Sequence, residues 1–559
     1  MAFNAATQWE FQTTGSNTNG GGFFNATPGT SVDLALANTP ATFTDLVIDA
    51  ATNTKITSSI RPFTTADGGN IINITSGTGF TVQRVQILSV DGSAIATCDK
   101  AVGTAGSTGG NGKMGGALAV PTGALMDLAV AGNTVWAKQG TYTLTGNTSV
   151  SSAGTATKPI WFCGYKAMRG DNPSGLDRPF VIAAAYTFNT TSFWIAKNIS
   201  VASTESFGFG SVYSGDSVLI NCKCINTSTT AARQGIYVYN SCRIISCEGI
   251  ATNGCGIQMG GSRLLNSYAH DSSTGIYFTG SSVVSGCISA YNFTNAIQIG
   301  NAAKCTVTFN TLVGHTTPVG KGINLSAATE SNIITHNIIY GFVDGISQIT
   351  AEKKDNYYDY NNIYNCTTPR SNATAGVNDI TLDPQFVSTG NIGSNFCTNG
   401  ADWTDATGST PPTGWAVKTA GTFTITASGQ SGDYLKIAHN GTNNNPEISF
   451  AITTEVGKSY RITYYAQKGT ATNATAKVGT TSGGTEIGYT ATHTDTDWNT
   501  QKSISFEATA TTTYFSVGAT TSTSGQYAMI DTVTIYEQGE DFTPGDNMKL
   551  DIDWTKVGL

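Results

Sequence analysis

The central stretch of the chain, residues 242–299, reads CRIISCEGIATNGCGIQMGGSRLLNSYAHDSSTGIYFTGSSVVSGCISAYNFTNAIQI. Between Val218 and Tyr364, Cys, Ser and Asn recur in one column at intervals of 25, 20, 20, 23, 27 and 24 residues: Cys222, Cys247, Ser267, Cys287, Asn310, Asn337 and Asn361. A period of this length is typical of a solenoid, in which each repeat stacks on the one before it. The repeats are too short for two helices and are rich in Val, Ile, Thr and Tyr, so they predict strands.

A second column keeps step with the first and consists of a small residue followed by isoleucine: Gly235-Ile236, Gly256-Ile257, Gly275-Ile276, Ala296-Ile297, Gly322-Ile323 and Gly345-Ile346. The residues that follow alternate polar and apolar, as in a strand with one buried face. Stacking the turns places the isoleucines in one core. The first column then lies inside, where Asn side chains hydrogen-bond from turn to turn. We therefore predict a parallel β-helix; the alternative is a β-sandwich with coincidental spacing.

Composition limits the classes of function. The chain has 559 residues, a net charge of −8 and only 12% charged residues, about half the usual share. The length predicts several domains, and the negative charge argues against nucleic acid as a partner. The sequence has no apolar run long enough to insert into a membrane, and its first residues predict no secretory signal peptide. The 11 cysteines lack the spacing of a zinc site, so we expect buried free thiols.

The chain divides into five predicted parts. Residues 1–43 are an expected anchoring segment whose aromatic residues dock on a partner or on the next domain. Residues 44–112 predict a small β domain with a hairpin turn at Asp91-Gly92 and a glycine-rich hinge from residue 103. The predicted β-helix spans 118–397, and a short helix beginning at Thr122 covers its first turn. Residues 401–537 predict a jelly-roll β-sandwich, because many short strands are separated by Gly/Thr/Ser turns. A tail, 538–559, follows.

Two stretches carry a resemblance to a known fold family. Residues 132–142 (GNTVWAKQGTY) and 158–165 (KPIWFCGY) are similar to the first turns of the pectate-lyase-like right-handed parallel β-helix superfamily. Asp383-Pro-Gln-Phe-Val387 resembles the stretch that closes such domains. The resemblance implies an all-β, right-handed parallel β-helix over about residues 118 to 395. It does not imply one activity, since this superfamily contains lyases, hydrolases and proteins that are not enzymes.

Both ends of the chain carry further resemblances. Residues 8–23 are similar to the opening of phage and prophage β-helix proteins. This implies a virion-surface protein, whose N-terminal region we expect to contact other virion proteins. We expect a homotrimer, because such solenoids commonly assemble with three-fold symmetry, and synthesis in the host cytoplasm, because no signal peptide is predicted. Gly414-Trp415, residues 460–467 and residues 530–535 resemble the carbohydrate-binding jelly-roll modules of polysaccharide enzymes. That resemblance implies that Asp531 helps to hold a structural calcium ion; we expect no other cofactor.

Candidate catalytic residues are few. Hydrolysis by two carboxylates needs a separation of about 5 to 9.5 Å. Adjacent turns are about 4.8 Å apart, so the two acids should share a column one or two turns apart. Glu248 and Asp271 find no such partner. The best remaining candidates are Asp344, Asp355 and Asp359, although isolated acids at corners are more often solvated or capping. The few arginines and the unaligned acids argue against a calcium-dependent lyase.

A third column predicts a contact surface. The residues after the isoleucines are Tyr237, Gln258, Tyr277, Gln298 and Asn324. Tyrosine and amide side chains along a flat face can lie against sugar rings and hydrogen-bond to hydroxyl groups. We predict that this column contacts a glycan or a partner; a plain sheet surface or a subunit contact is the alternative. The histidines His270, His315 and His336 share no column, so we predict no metal site there.

The sequence as a whole favours a non-catalytic phage virion-surface protein, such as a head decoration, a fibre or a tailspike-like component. Such a protein presents a β-helix and a glycan-binding-like domain for attachment to host surface carbohydrate. The first alternative is a tailspike polysaccharide depolymerase, a hydrolase or a lyase, which has the same architecture and differs by a working acid pair. The second alternative is a bacterial surface adhesin, which the expected lack of a signal peptide disfavours.

Overall fold

The computed structural model describes residues 3–538 apart from 147, 185–187, 204–206, 212–214, 229–232, 301–303, 316–317, 327–328, 350–354, 385–390, 393–394, 398, 401–402, 404, 457 and 488. The protein is almost entirely β-structure. It contains a parallel β-helix, a small closed β-barrel inserted near its N-terminal end, and a C-terminal sandwich of two antiparallel sheets. The predicted fold class is confirmed. Of the predicted tail, 538–559, only Gln538 is described, as the end of the last strand. Residues 385–387 of the closing stretch also lie outside the described residues.

The β-helix is built from three sheets, and each complete turn contributes one strand to each sheet. All strands of these sheets run parallel except Gly22–Phe23, which is antiparallel to Gln8–Phe11. Sheet one contains Gln8–Phe11, Gly22–Phe23, Thr134–Lys138, Ile160–Tyr165, Trp194–Lys197, Val218–Ile220, Arg243–Ile245, Arg263–Leu265, Val283–Ser285, Thr306–Thr308, Ile333–Thr335 and Tyr357–Asp359. Sheet two contains Thr141–Thr143, Phe180–Ala184, Ser200–Ser203, Lys223–Asn226, Glu248–Ala251, Tyr268–His270, Ile288–Ala290, Thr311–Val313, Ile338–Tyr340 and Asn362–Tyr364. Sheet three contains Thr148–Ser149, Phe188–Asn189, Phe207–Ser211, Gln234–Tyr239, Cys255–Gly260, Thr274–Thr279, Asn295–Ile299, Lys321–Leu325, Asp344–Gln348 and Thr368–Ser371.

The two interior columns predicted from the sequence are confirmed. The isoleucines of sheet three stack in register from Ile236 to Ile346, and each is fully buried. In the first column, five side chains accept a hydrogen bond from the backbone N–H of the equivalent residue one turn earlier: Cys247, Ser267, Asn310, Asn337 and Asn361. The distance is 3.1 Å from Cys247 to Ser267 and 2.9 Å from Cys287 to Asn310. This column therefore satisfies buried backbone donors at the bend between sheets one and two.

The asparagine part of that column also bonds side chain to side chain. The Nδ2 of Asn310 donates to Oδ1 of Asn337 at 2.9 Å, and Asn337 donates in the same way to Asn361 at 3.0 Å. A parallel polar column, which the sequence analysis missed, precedes sheet one. There the backbone N–H of Cys305 donates to Oδ1 of Asn332, and that of Asn332 donates to Asn356. The solenoid core thus has polar ladders at two of its bends.

The aromatic residues of the N-terminal segment, predicted to dock on a partner or on the next domain, instead pack into the β-helix of this chain. The strand Gln8–Phe11 pairs in parallel with Thr134–Lys138, and Gly22–Phe23 pairs with it on its other side. Trp9 and Phe11 are buried in the core of the β-helix. These residues therefore extend sheet one beyond its first complete turn. Their aromatic side chains are buried in the β-helix core of the same chain. The predicted cap helix is present at Gly123–Met126, and Met126 packs into the same core.

The small N-terminal domain is a closed barrel of antiparallel strands: Ala41–Ile48, Lys55–Thr57, Ile71–Ser76, Gln83–Val90, Ala96–Cys98 and Thr108–Met114. Short 3₁₀ helices lie at Leu34–Leu36 and Thr65–Asp67, and a third lies at Gly175–Asp177 in the β-helix. The predicted hinge is wrong, because residues 108–114 form the strand that closes the barrel. Its glycines serve close packing: a Cβ on Gly110 would lie 2.5 Å from the ring of Phe80.

The C-terminal sandwich packs two sheets around one apolar core. One sheet contains Asn391–Ile392, Thr407–Gly408, Thr422–Ala427, Asp433–Ala438, Ser459–Gln467, Lys502–Glu507 and Tyr527–Gln538. The other contains Trp415–Thr419, Glu447–Thr453, Asn473–Gly479, Tyr489–His493 and Thr512–Thr520. Strand residues alternate between core and surface: Tyr460, Ile462, Tyr464 and Ala466 face inward. The 11 cysteines are free thiols, and all except Cys255 and Cys366 are buried.

Candidate functional site

The predicted contact column forms one straight row on the outer face of sheet three. Tyr237 pairs with Gln258, Gln258 with Tyr277, Tyr277 with Gln298, and Gln298 with Asn324. The first four side chains are half-buried and reach the surface. Asn324 is only 8% exposed, and its Oδ1 has no hydrogen-bond partner among the described residues. The accessible row therefore runs from Tyr237 to Gln298. We call this surface the sheet-three face.

Glycines shape the sheet-three face by letting tyrosine rings lie against the sheet. A Cβ on Gly260 would fall 2.3 Å from the ring of Tyr239, and a Cβ on Gly300 would fall 2.5 Å from the Oη of Tyr277. Each tyrosine thus crosses to a neighbouring turn and occupies the space above a glycine. A ring in this position turns one face toward the backbone and the other toward solvent, which suits stacking against a flat ligand.

Hydrogen bonds and ring contacts fix these side chains. The Nε2 of Gln258 donates to the Oη of Tyr239 at 3.1 Å, and the Tyr237 and Tyr239 rings meet edge to face at 5.1 Å. The Nδ2 of Asn295 donates to Oε1 of Gln298 at 3.1 Å. Partial burial raises the pKa of Tyr277, so its hydroxyl remains a neutral donor and acceptor. Tyr239 is not in the predicted contact column, because that column contains only the position directly after each isoleucine.

The candidate catalytic acid Asp344 lies at the edge of the same face. Its Oδ2 lies 3.7 Å from the Nζ of Lys321 on the adjacent turn, and Lys321 also donates to Ser347 at 2.9 Å. Asp344 is therefore the ion-pair partner of a lysine. It belongs to sheet three, whereas the second candidate, Asp359, belongs to sheet one. The fold does not place these two carboxylates on one surface.

Asp359 is surrounded by donors. It accepts hydrogen bonds from the backbone N–H of Asn378 at 2.7 Å, from the Asn378 amide at 2.9 Å and from the Tyr357 hydroxyl at 3.0 Å. Burial opposes ionisation, but these bonds outweigh it and hold the pKa of Asp359 below its ordinary value. An acid of this kind holds a turn in place and is a poor proton donor. The third candidate, Asp355, is exposed in a corner with φ of 94°.

A charged cluster lies where the sandwich meets the β-helix. His270 bonds to Oδ2 of Asp271 through Nδ1 at 2.7 Å and to Oε1 of Glu248 through Nε2 at 3.0 Å. Lys223 lies 2.8 Å from Glu248, and Arg461 of the sandwich lies 3.6 Å from Asp271. Positive and negative groups therefore alternate along one line. We call these five residues the junction cluster.

The electrostatics of the junction cluster favour its ionised forms. Burial would lower the pKa of His270, but its bonds to Asp271 and Glu248 outweigh burial and raise that pKa to about 9. His270 is therefore an imidazolium that donates to both carboxylates at neutral pH. Burial opposes ionisation of Glu248, but Lys223 and His270 hold its pKa far below the ordinary value. Both carboxylates are neutralised in place, which suits docking better than proton transfer.

Arg461 also contacts the solenoid beyond the carboxylate. Its guanidinium lies 4.5 Å from the centre of the Tyr291 ring, and its Nη2 donates to Nδ1 of His315 at 3.3 Å. Burial and the neighbouring Arg461 lower the pKa of His315 to about 4, so it accepts as a neutral imidazole. The solenoid residues of this contact follow sheet-two strands on successive turns. The sequence predicts no acid partner for Glu248 or Asp271, and no pattern in it indicates that His270 joins them or that Arg461 reaches Asp271.

Asp531, the residue expected to help hold calcium, is bonded by backbone donors. Asp531 is fully buried and accepts hydrogen bonds from the backbone N–H groups of Gln430 at 2.5 Å, Ser431 at 3.1 Å and Thr532 at 2.6 Å. Calcium takes six to eight oxygen ligands, whereas this carboxylate is surrounded by donors. Asp531 therefore fastens the turn at residues 429–432 to the last strand. Among the described residues, no three His, Cys, Asp or Glu side chains are grouped to hold a metal ion. In the described part of the chain, no helix is long and apolar enough to span a membrane.

Comparison with known proteins gives distant similarities of fold. No protein-family model matches the chain, and no curated protein matches it. The enzymatically active domain of tailspike protein 4 of bacteriophage CBA120 aligns with 88% of this chain and 77% of its own, at 10% identity and a TM-score of 0.21. The GH136 lacto-N-biosidase of Eubacterium ramulus aligns with 48% of this chain and 64% of its own, at 9% identity and a TM-score of 0.32.

A third solved structure is similar to part of the chain. The CBM22-1 xylan-binding domain of Paenibacillus barcinonensis Xyn10C covers 24% of this chain and 91% of its own, at 14% identity and a TM-score of 0.18. Such low identities leave function to be argued from the surfaces of this chain itself.

Proposed function

We propose that this protein binds a surface polysaccharide through the sheet-three face, and that it does so as an attachment component on the surface of a phage particle. The observation that carries the proposal is the unbroken register of Tyr237, Gln258, Tyr277 and Gln298 on successive turns. Turns repeat about every 4.8 Å. A polysaccharide lying along the solenoid axis would therefore meet a tyrosine on every second turn and an amide between them.

The chemistry of the row suits a sugar polymer. Tyrosine rings give apolar faces for the C–H surfaces of pyranose rings, and the hydroxyl and amide groups both donate and accept hydrogen bonds. The rings are held in position before any ligand arrives, by the glycines beneath them and by the bond between Gln258 and Tyr239. Preorganised side chains lose little freedom on binding, which favours affinity. A charge-poor face of this kind suits a neutral polymer.

The sandwich supplies a second aromatic surface. The Tyr434 and Trp498 rings lie 5.7 Å apart, and the Nζ of Lys436 lies 4.0 Å from the centre of the Tyr527 ring. These side chains share the outer face of the sheet whose other end carries Arg461. In our proposal, the sandwich contacts glycans or neighbouring subunits, and the junction cluster fixes its orientation against the β-helix.

The proposed particle form is a homotrimer that meets other virion proteins through its N-terminal region. Half-exposed apolar side chains on the outer face of sheet one, Ile220, Ile245 and Leu265, support a contact between copies. Burial of such side chains between three copies would remove apolar surface from water. A mass measurement at micromolar concentration should give a trimer, and a stable monomer would count against this assembly.

The binding test uses the full chain and immobilised capsule and lipopolysaccharide preparations from a panel of bacteria. We expect retention on at least one preparation, and we expect the double variant Tyr237→Ala/Tyr277→Ala to lose it. Tyr357→Ala is the matched control, because Tyr357 is a tyrosine 54% exposed on sheet one, away from the row. Equal retention of the double variant and the wild type would refute the proposed face. Chain-length analysis of the same polysaccharide tests the depolymerase alternative, which requires shortened chains.

A further inference from the structure

A cleft of about 230 Å³ opens on sheet one, away from the sheet-three face. Its floor is formed by the first two complete turns of the solenoid, and its rim is formed by the connection from residue 166 to residue 178. Trp136, Trp161 and Lys197 line it together with Asn172 and Asn198. Pockets for drug-sized ligands occupy about 300 to 1,000 Å³, so this cleft suits one ring of sugar size rather than an oligosaccharide.

The rim of the cleft is locked in place. The Nε of Arg169 donates to Oε2 of Glu10 at 2.9 Å, and its Nη1 donates to Asp33 at 2.6 Å and to Gln8 at 3.0 Å. The carboxylate of Asp171 accepts from the backbone N–H groups of residues 166, 167 and 168 at 2.7 to 3.1 Å. These bonds hold the rim over the sheet, so the cleft is formed without a ligand.

The tryptophans give the cleft an aromatic floor. The Nε1 of Trp136 donates to Oε1 of Gln8 at 3.1 Å, and its ring meets Tyr165 edge to face at 6.2 Å. Trp161 lies one turn further along, two residues before Cys163, which pairs with Trp136. Both indoles are half-exposed. Rigid indole faces at a surface favour stacking against the C–H face of a sugar ring.

Polar and charged groups around the floor indicate which functional groups a ligand of the cleft would have. Lys197 is the only charged side chain that lines the cleft, and it forms no ion pair among the described residues. The nearby carboxylates of Glu10 and Asp33 are both ion-paired to Arg169. The buried Asn198 accepts from Asn221 at 2.8 Å and donates through Nδ2 to the exposed Asn172 at 3.5 Å, so it holds the Asn172 amide at the rim. Burial raises the pKa of Cys163 to about 12, so its thiol remains neutral.

We infer that this cleft binds one acidic sugar residue, a uronate, with its ring on the tryptophans and its carboxylate on Lys197. The inference rests on the proposed carbohydrate-binding function and adds a second site with a different preference. A single unpaired ammonium in a cleft without a competing free acid selects for a carboxylate. The exposed amide of Asn172 provides a donor and an acceptor for the ring hydroxyls.

The test is calorimetric titration of the full chain with trigalacturonate and with neutral β-1,4-galactotriose. We expect saturable binding of the acidic probe and at least tenfold weaker binding of the neutral one. Lys197→Gln should weaken binding of trigalacturonate at least tenfold, Trp161→Ala should abolish it, and Lys197→Arg should restore most of the loss. Circular dichroism and thermal melting should be unchanged in Lys197→Gln, since its side chain makes no ion pair in the described structure.

Tyr277→Ala separates this site from the sheet-three face. It should leave trigalacturonate binding unchanged while it weakens retention on surface polysaccharide. Equal affinity for the two trisaccharides, or an unchanged affinity in Lys197→Gln, would overturn the inference. The absence of saturable binding by wild type would also overturn it. Loss of polysaccharide retention confined to the tyrosine variants would leave the sheet-three proposal standing without the cleft.

Discussion

Two outer regions of the same solenoid, the sheet-three face and the corner after sheet two, have opposite chemistry. On sheet three, the row from Tyr237 to Gln298 is uncharged, half-exposed and supported by glycines. After sheet two, His270 and Asp271 are buried, and the carboxylate of Asp271 is ion-paired both to His270 and to Arg461 of the sandwich. Both surfaces follow from one stacking rule, because side chains on successive turns lie over one another. The two surfaces differ in charge. The charged one, after sheet two, is covered by the sandwich.

The largest expected effect comes from removing one member of the junction cluster. Asp271→Ala leaves His270 and Arg461 buried without their shared carboxylate. Breaking a buried ion pair by removing one partner costs about 3 to 5 kcal/mol. We expect a loss of this size in the free energy of unfolding, measured by urea titration. Glu330→Ala is the matched control, since Glu330 is an exposed acid of the solenoid, and it should change stability by less than about 0.5 kcal/mol. Equal effects of the two substitutions would contradict a docking role for the cluster.

The junction should also weaken as pH rises. The pKa of His270 is about 9 in the folded protein, above its ordinary value of 6.5, so the folded state holds this proton more tightly than the unfolded state. The stabilisation is therefore complete below pH about 6.5 and is lost as the pH rises through about 9. The groups that face His270 are the carboxylates of Glu248 and Asp271, which are paired to Lys223 and Arg461, and the ring of Tyr268. We expect the free energy of unfolding to fall by up to about 3 kcal/mol across this pH range.

The measurement for this prediction is stability against pH from 6 to 10, for wild type and for His270→Gln. The difference between the two proteins should shrink across that window. A constant difference would show that His270 does not change its charge there.

A smaller loss of stability is expected from a substitution inside the solenoid core, away from both surfaces. Asn337 accepts from the backbone and amide of Asn310 and donates to Asn361. Asn337→Ala leaves buried donors without acceptors, and each unsatisfied group costs about 1 to 3 kcal/mol. We expect a loss of about 2 to 3 kcal/mol in thermal or chemical unfolding. Thr311→Ala, a half-buried position of sheet two on the preceding turn, is the control. A loss below about 0.5 kcal/mol in Asn337→Ala would mean that the ladder contributes little.

The smallest effect on stability, and the clearest effect on function, is expected on the sheet-three face. Tyr277→Ala removes a half-exposed ring and should change the free energy of unfolding by less than about 1 kcal/mol. Its affinity for the retained polysaccharide should fall about tenfold or more, because truncated aromatic anchors commonly cost more than 1 kcal/mol of binding. Surface plasmon resonance with the immobilised polysaccharide measures the change. Asp271→Ala should show the reverse pattern, with a stability loss and little change in affinity for this face.

The two regions also show how far sequence reasoning reaches. The period of the Cys, Ser and Asn column sets the register of all three sheets, so the row from Tyr237 to Asn324 could be placed residue by residue. Contacts between distant segments have no such period. Arg461 meets Asp271 across 190 positions of sequence, and Arg169 meets Glu10 in the same way. The N-terminal strand was also missed, because its partner, Thr134–Lys138, lies beyond the inserted barrel.

Hydroxyl-radical footprinting of the full chain, with and without the retained polysaccharide, tests the proposed division between the surfaces most directly. Mass spectrometry reports the reactivity of each tyrosine. We expect Tyr237, Tyr239 and Tyr277 to lose most of their reactivity when the polysaccharide is bound, while the exposed Tyr357 of sheet one keeps its own. Unchanged reactivity of Tyr237 and Tyr277 under saturating polysaccharide would contradict binding at the sheet-three face.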